Sequence, residues 1–119
     1  MISVEGWLPI GSVVHINNSD KLVFVAGCMQ RDGSDGTVWD YFGYPYPEGN
    51  YGENSGVLFN KDSIDQVIYL GFQDVDGLRW EETLAAAQGQ FDELRAEHAV
   101  SPDVEASRPV STTKPEDAE

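Results

Sequence analysis

The sequence predicts an α+β fold: a small, mostly antiparallel sheet of about five strands, with one C-terminal amphipathic helix packed on it. Short β-rich segments separated by turn residues occupy the chain up to about residue 72. Apolar residues then recur at steps of four and three, which places them on one face of a helix. With 119 residues, 40% of them hydrophobic, the chain is long enough for one domain with a modest core.

The first three strands are predicted from short β-forming runs and the turns between them. Residues 12–16, SVVHI, are rich in β-branched side chains, and the NNSD that follows favours a turn. Residues 21–30, KLVFVAGCMQ, form a continuous apolar run, and RDGSDG then supplies two glycines for a tight reversal before TVWDYFGY. We therefore expect the second and third strands to form a hairpin.

The fourth and fifth strands are predicted at GVLF, residues 56–59, and at QVIYLGF, residues 66–72. The NKDSID between them is too short for more than a single turn of helix. Asn60 is expected to cap that turn.

The predicted helix begins at Asp76, which is expected to be its N-cap, and extends to His98. Its apolar stripe consists of Trp80, Leu84, Ala87, Phe91 and Leu94. Arg95 and His98 lie near its end, where the helix dipole favours cations. We expect the stripe to lie on the sheet.

The composition changes after residue 98. The remaining segment has three prolines, many small polar residues and no aromatic residue. Such a segment buries too little apolar surface to offset the entropy of ordering it. We therefore predict a single α+β domain at residues 1–98 and a disordered acidic tail at residues 99–119.

The charge narrows the choice of partners. There are 21 acidic residues against 7 Lys and Arg, a formal net charge of −14. Such a chain repels phosphate backbones and anionic membrane surfaces, so a nucleic-acid partner is not expected. No apolar run approaches the roughly 18 residues that a bilayer requires, and no signal-peptide pattern is present at the N-terminus. We expect a cytoplasmic protein without membrane insertion.

Residue constellations for catalysis are lacking. The single cysteine, Cys28, stands in an apolar run and is expected to be buried. The two histidines fall in a predicted strand and at a helix end, so no triad can be assembled. DGSDG, residues 32–36, lacks the alternating acids of a calcium loop and indicates a hairpin turn. No catalytic, metal-binding or cofactor-binding residue is assigned, and the chain is not expected to be an enzyme.

The stretch DYFGYPYPEGNYGE, residues 40–53, is the candidate binding surface. Tyrosine combines a large apolar ring with a polar edge and is enriched where proteins meet. Tyr41 is expected to fill the core, and the candidate partner-binding residues are Tyr44, Tyr46, Pro47 and Tyr51. A long loop can also fold its own rings under itself as a hydrophobic plug, so both roles stay open.

Three stretches carry a family resemblance: LPIGSVV at 8–14, DYFGYPYPEGNYG at 40–52 and LFNKDSIDQVIYLGFQD at 58–74. In this order and spacing they resemble the small bacterial family known as domain of unknown function 4176, over most of residues 6–75. Members of that family are typically encoded in Gram-positive bacteria beside type VII secretion genes and the LXG-type toxins that this system exports. The resemblance implies no catalytic residues.

The resemblance implies a non-enzymatic protein-binding accessory protein, an adaptor or chaperone-like protein associated with type VII secretion of a toxin. Its expected partner is the secreted toxin or the toxin's small helical export partners. The alternative is an immunity protein that binds and blocks a cognate toxin domain. An acidic surface suits an inhibitor of a basic toxin, whereas a helix and an aromatic loop suit docking against a helical export module.

Overall fold

The computed structural model describes residues 6–98, apart from the side chain of His98, and residues 107–109. In chain order the elements are β1 (Val13–Ile16), β2 (Leu22–Arg31), β3 (Val38–Tyr46), β4 (Val57–Phe59), a 3-10 turn (Lys61–Ser63), β5 (Ile64–Tyr69), α1 (Val75–His98) and β6 (Ser107–Pro109). The α+β class is confirmed. The sheet has six strands, one more than the five predicted.

All strands lie in one sheet, in the order β5-β1-β2-β3-β4-β6, and every neighbouring pair is antiparallel. The predicted hairpin of β2 and β3 is present and pairs Leu22 with Tyr46 at one end and Arg31 with Val38 at the other. A bulge between Val25 and Gly27 interrupts this ladder. Such a bulge bends the strand and increases its twist, which helps to curl the sheet.

The reversal between β2 and β3 is a compact turn, as the two glycines predicted. The backbone N–H of Asp32 donates to the carbonyl of Thr37 at 2.8 Å, and that of Gly36 donates to the carbonyl of Asp32 at 2.8 Å. Gly36 has a φ of +80°, a conformation that glycine adopts without strain. The DGSDG segment is therefore a hairpin turn.

The third strand extends two residues beyond its predicted end at Tyr44. It continues through Pro45, which pairs with Val23, to Tyr46. On its other side β3 pairs with β4 only as far as Gly43. Pro45 therefore lies where β3 has a neighbour on one side only, a position in which sheets tolerate proline.

The fifth strand begins and ends earlier than the predicted residues 66–72. Ile64 pairs with Ile16 and Val67 with Val14, and all four side chains are buried. After Tyr69 the chain leaves the ladder because Gly71 docks on the loop before β1. Its N–H donates to the Ser12 hydroxyl at 2.9 Å, and a Cβ at Gly71 would lie 2.4 Å from a backbone oxygen of that loop.

The core lies between one face of the sheet and α1. Its largest contributions are Val14, Ile16, Val23, Val25, Tyr41 and Phe59 from the sheet, Leu84 and Phe91 from α1, and Trp7 and Leu8 from the segment before β1. Trp7 contacts Tyr41 and Phe91 edge-on, with ring centroids 5.3 and 5.8 Å apart. Its indole N–H donates to the side-chain oxygen of Gln88 at 2.8 Å. Trp7 therefore joins the helix to the sheet.

The helix begins at Val75 and its N-terminus is capped by Asp74, whose side chain accepts the N–H of Gly77 at 3.0 Å. The prediction of Asp76 as the cap is wrong by two residues. Asp76 lies in the first turn instead.

The predicted apolar stripe of α1 is only partly correct. Leu84 and Phe91 are buried, but Trp80 is 48% and Leu94 39% exposed, so the prediction that these two lie on the sheet is wrong. The helix faces the core through Leu84, Gln88, Phe91 and Arg95. Leu94 precedes Arg95 and so points about 100° away from it around the helix.

Polar contacts attach the end of α1 to the sheet. The Arg95 guanidinium forms an ion pair with the buried carboxylate of Asp40. The second oxygen of Asp40 accepts the N–H of Lys61 at 2.8 Å, and Asn60 accepts the N–H of Asp40 at 2.8 Å. Asn60 therefore supports β3, and its side chain makes no capping hydrogen bond to the 3-10 turn that follows it.

Cys28 is buried, as predicted. Burial raises the pKa of its thiol to about 11, so the sulfur is protonated at neutral pH and is a poor nucleophile.

The segment after α1 departs from the prediction of a disordered tail at one place. Ser107–Pro109 pair with β4 as β6, so the prediction is wrong for these three residues. Residues 99–106 and 110–119 lie outside the described residues, and the domain boundary at residue 98 stays a prediction.

Among the helices of the described part of the chain, none is both long and apolar enough to cross a lipid bilayer.

Truncation of the helix side chains should separate the buried from the exposed positions. Leu84→Ala removes a core side chain and should lower the free energy of unfolding by about 2 to 4 kcal/mol. Leu94→Ala, the matched control on the same helix, should change it by less than about 0.5 kcal/mol. Chemical denaturation of both variants measures this, and an equal loss for the two would contradict the helix orientation.

Candidate protein-binding surface

Tyr41 is the core residue of the tyrosine-rich stretch, as predicted. Its side chain is fully buried, stacks on Phe59 at 5.5 Å and accepts the backbone N–H of Leu8 through its hydroxyl at 2.9 Å. Burial raises the pKa of the phenol far above its ordinary value. Tyr41 therefore supports the fold and is inaccessible to a partner.

Tyr44 lies on the other face of the sheet because side chains alternate along a strand. It is half-buried, with its ring 4.9 Å from that of Phe42 and 5.9 Å from that of Phe24. These three rings line the outer side of β2 and β3. Tyr44 is therefore a supporting member of this outer face.

Pro47 and Tyr51 belong to the turn that follows β3. Both are exposed, Tyr51 at 67%. The turn is held by the Gly49 N–H, which donates to the Pro45 carbonyl at 2.7 Å, and by an ion pair between Lys21 and Glu48. The ring of Tyr51 therefore projects from an ordered turn.

An apolar groove crosses the outer face of the sheet. It has a volume of about 490 Å³ and is lined by Gly11, Val13, Leu22, Phe24, Tyr46, Ile68 and Tyr69. Val13 and Phe24 alternate along their strands with the core residues Val14 and Val25, so the groove lies on the face opposite α1. We call this surface the outer-face groove.

The strand register explains how the groove is built. Tyr69 pairs with Val13, Val13 pairs with Phe24, and Leu22 pairs with Tyr46. The floor is therefore formed by β1 and β2, with β5 on one side and β3 on the other. Tyr46 is 52% and Tyr69 59% exposed, so both rings stand up as walls.

The β5 side of the groove is also an open sheet edge. Within the described residues β5 pairs only with β1. Of the eleven large apolar side chains that this part of the chain leaves exposed, seven lie between Ile68 and Trp80. Of these seven, Ile68 and Tyr69 belong to β5 and line the groove, and an exposed strand edge that carries apolar side chains is a candidate interaction surface.

One ion pair borders the outer face. His15 on β1 has Nδ1 2.7 Å from the carboxylate of Asp65 on β5, and Nε2 3.0 Å from the carbonyl of Ser19. Both partners are acceptors, and only the protonated ring donates from both nitrogens. The hydrogen bond to Asp65 raises the pKa of His15 above 6.5, against a smaller opposite effect of desolvation. His15 therefore links β1 to β5.

The groove contains one of the four predicted partner-binding residues. Tyr46 forms a wall, Tyr44 supports the adjoining surface, and Pro47 and Tyr51 lie on the neighbouring turn outside the lining. The sequence prediction missed Ile68 and Tyr69. The unbroken apolar run in QVIYLGF could have indicated them. In a strand that covers the core with only one face, apolar residues normally alternate with polar ones, so an unbroken run implies apolar side chains on the outer face as well.

No metal centre is found: in residues 6–98 and 107–109, no three His, Cys, Asp or Glu side chains converge in a way that could hold an ion.

The hydroxyl of Tyr41 can be tested apart from its ring. Tyr41→Phe leaves the buried N–H of Leu8 without its acceptor and should lower the free energy of unfolding by about 1 to 3 kcal/mol. Tyr41→Ala should cost about 2 to 4 kcal/mol. Tyr46→Ala is the exposed control and should stay within about 0.5 kcal/mol of wild type. Denaturation curves that rank Tyr46→Ala with Tyr41→Ala would contradict this assignment.

The His15–Asp65 pair predicts a pH dependence. Because the folded-state pKa of His15 lies above the unfolded value, the stabilisation is complete below about pH 6.5 and is lost as the pH rises through the folded-state pKa. An NMR titration should give His15 a pKa above 6.5, and Asp65→Asn should lower it. An unchanged His15 pKa in Asp65→Asn would show that the pair does not form.

Comparison with known proteins gives one match. The family model described as Domain of unknown function (DUF4176) matches residues 7–79. No curated protein and no solved structure matches the chain. The matched span includes Trp7, β1 to β5 and the first turn of α1, so it contains every residue that lines the outer-face groove. Since the match covers more than half of the 119 residues, the chain belongs to the DUF4176 family.

Proposed function

We propose that this chain is a non-enzymatic accessory protein that binds another protein across its outer-face groove. The observation that carries the proposal is the groove itself: about 490 Å³ of apolar concavity, walled by the half-exposed rings of Tyr46 and Tyr69. Tyrosines that are partly buried in the free protein lose little conformational entropy on binding and are frequent hot spots of interfaces.

The dimensions of the groove favour a helical partner segment. Its side strands, β5 and β3, are three strand spacings apart, about 14 Å. An α-helix with its side chains is about 10 to 12 Å across. One apolar face of an amphipathic helix would therefore rest on Val13, Leu22 and Phe24, between the two tyrosine walls.

The charge supports a basic or neutral partner. The net charge of −14 attracts basic surfaces over a distance of about a Debye length and repels acidic ones. The groove itself is apolar, so charge contributes mainly to the rate and selectivity of association. Burial of apolar surface contributes the affinity.

The resemblance to the family encoded beside type VII secretion genes gives the proposal a setting. We propose that the partner is a toxin of that pathway or one of its small helical export proteins, and that the chain acts on it in the cytoplasm as an adaptor or chaperone-like protein. The fit of the groove to a helix favours this role. The large negative charge suits the second candidate, an immunity protein that blocks a basic toxin domain.

Co-purification distinguishes the two roles. The full chain is co-expressed with an LXG-type toxin of the proposed pathway, or with either half of that toxin. Retention of the N-terminal export region supports the adaptor, and retention of the C-terminal toxic domain supports the immunity protein. Retention of neither half, nor of the small helical export proteins of that pathway, would contradict the proposal.

Substitutions in the groove should weaken that complex without unfolding the chain. Tyr46→Ala and Tyr69→Ala each remove one wall and should raise the Kd of the captured partner about 5- to 30-fold, the effect of losing about 1 to 2 kcal/mol at a hot spot. The control is Leu94→Ala, a truncation of an exposed apolar side chain on the helix side of the sheet.

Tyr51→Ala measures whether the neighbouring turn, also predicted from the sequence to bind, belongs to the interface. Calorimetric titration supplies the Kd of each variant. If Leu94→Ala raises the Kd as much as Tyr46→Ala and Tyr69→Ala do, the interface lies elsewhere.

A further inference from the structure

The edge of β4 is covered by the chain's own C-terminal segment. In β6, Arg108 pairs with Leu58 and Pro109 with Val57, in antiparallel register. The strand has three residues and includes a proline, which has no N–H to donate. The backbone ladder that it forms with β4 is therefore short.

The side chain of Arg108 adds a specific contact. Its Nη1 lies 2.9 Å from Asp32 Oδ2, 2.8 Å from Asp35 Oδ2 and 3.0 Å from the Thr37 hydroxyl. The guanidinium carbon lies 5.1 Å from the ring centroid of Trp39. Two carboxylates, a hydroxyl and an aromatic ring therefore surround a single arginine that is only 20% exposed.

The receiving groups are held in place without the help of β6. The Asp32 carboxylate accepts the Ser34 N–H at 2.8 Å and the Ser34 hydroxyl at 2.7 Å. Asp35 accepts the Thr37 N–H at 3.0 Å, and the Trp39 indole N–H donates to the Thr37 hydroxyl at 3.1 Å. All of these bonds lie within the β2–β3 turn and the start of β3. The hairpin thus presents a preorganised arginine receptor beside the β4 edge.

The ionisation of the receptor agrees with this geometry. Burial raises the pKa of Asp32, but the hydrogen bonds from Ser34 and Arg108 outweigh it and hold the pKa below its usual value. The hydrogen bond from the Thr37 backbone is the largest cause of the lowered pKa of Asp35. Both carboxylates are therefore anionic at neutral pH.

We propose that the β4 edge, together with Asp32, Asp35, Thr37 and Trp39, is a second binding site, specific for an extended segment that carries an arginine. Residues 107–109 are its resident occupant, and a partner segment of the same chemistry displaces them. The site goes beyond the proposed function, because it lies at the opposite edge of the sheet from β5 and binds an extended strand instead of a helix.

Two features define the partner segment. It adds to β4 as an antiparallel strand, so its affinity comes from main-chain hydrogen bonds. It places arginine opposite Leu58, where one guanidinium nitrogen contacts both carboxylates and the guanidinium carbon lies over the ring of Trp39. A lysine at that position supplies one ammonium point charge without the planar surface, so arginine is preferred.

A peptide titration tests the site. The probe is a fluorescently labelled peptide with the sequence of residues 104–112, VEASRPVST, titrated into the full chain and into its Arg108→Ala variant. In the wild type the resident segment competes at the high effective concentration of a tethered ligand. Arg108→Ala should therefore bind the peptide at least about tenfold more tightly than wild type.

Matched controls isolate the arginine. The same peptide with alanine in place of arginine should not bind, and the peptide with lysine should bind more weakly than the original. Adding Asp35→Asn to Arg108→Ala should abolish binding, with the melting temperature recorded to confirm that the variant is folded.

The inference is overturned if Arg108→Ala fails to bind the peptide, if it binds the arginine and alanine peptides equally, or if it binds no more tightly than wild type. NMR of the 15N-labelled wild type with excess peptide supplies an independent reading. The amide signals of Ser107 and Arg108 should acquire the fast motion of a released segment, and unchanged signals under saturating peptide would also overturn it.

Discussion

The fold depends on the packing of Trp7 against both Tyr41 and Phe91. It connects the segment before β1, the middle of β3 and the second half of α1, which are far apart in the sequence. Lys61 also contacts Trp7, with its ammonium 3.9 Å from the centre of the indole ring. The helix has 24 residues but only two buried apolar side chains, Leu84 and Phe91, so the contact of Phe91 with Trp7 is a large share of the apolar packing that holds it to the sheet.

This arrangement explains why the other face of the sheet is available for binding. The single helix covers one face, and the described residues place no second element over the outer-face groove, while apolar side chains such as Val13 and Phe24 line it. A sheet that is apolar on both faces is typical of three-layer folds. We interpret the outer face as a layer that a partner completes.

Much of the architecture could be predicted from the sequence, because turn residues and β-branched runs report local structure. Tertiary contacts decided the rest. The side of α1 that faces the sheet is set partly by Arg95. A search for apolar periodicity ignores this polar residue, so the sequence prediction placed Trp80 and Leu94 on the sheet. The strand β6 is predicted by no local preference, since it depends on the fit of Arg108 into the hairpin. The exposure of Tyr69 could be predicted only with knowledge of the register of β5. The pairing of β5 with β1 is irregular, and adjacent residues of β5 therefore point outward.

Site-specific photo-crosslinking tests whether a protein partner occupies the outer-face groove. A benzoylphenylalanine replaces Tyr69 in the full chain, which is co-expressed with the proposed partners, an LXG-type toxin and small helical export proteins of the type VII pathway, and irradiated. If the partner occupies the groove, we expect a crosslink to one of these proteins from position 69 and none from position 94 on the helix side of the sheet. A crosslink from position 94 with none from position 69 would show that the partner binds elsewhere.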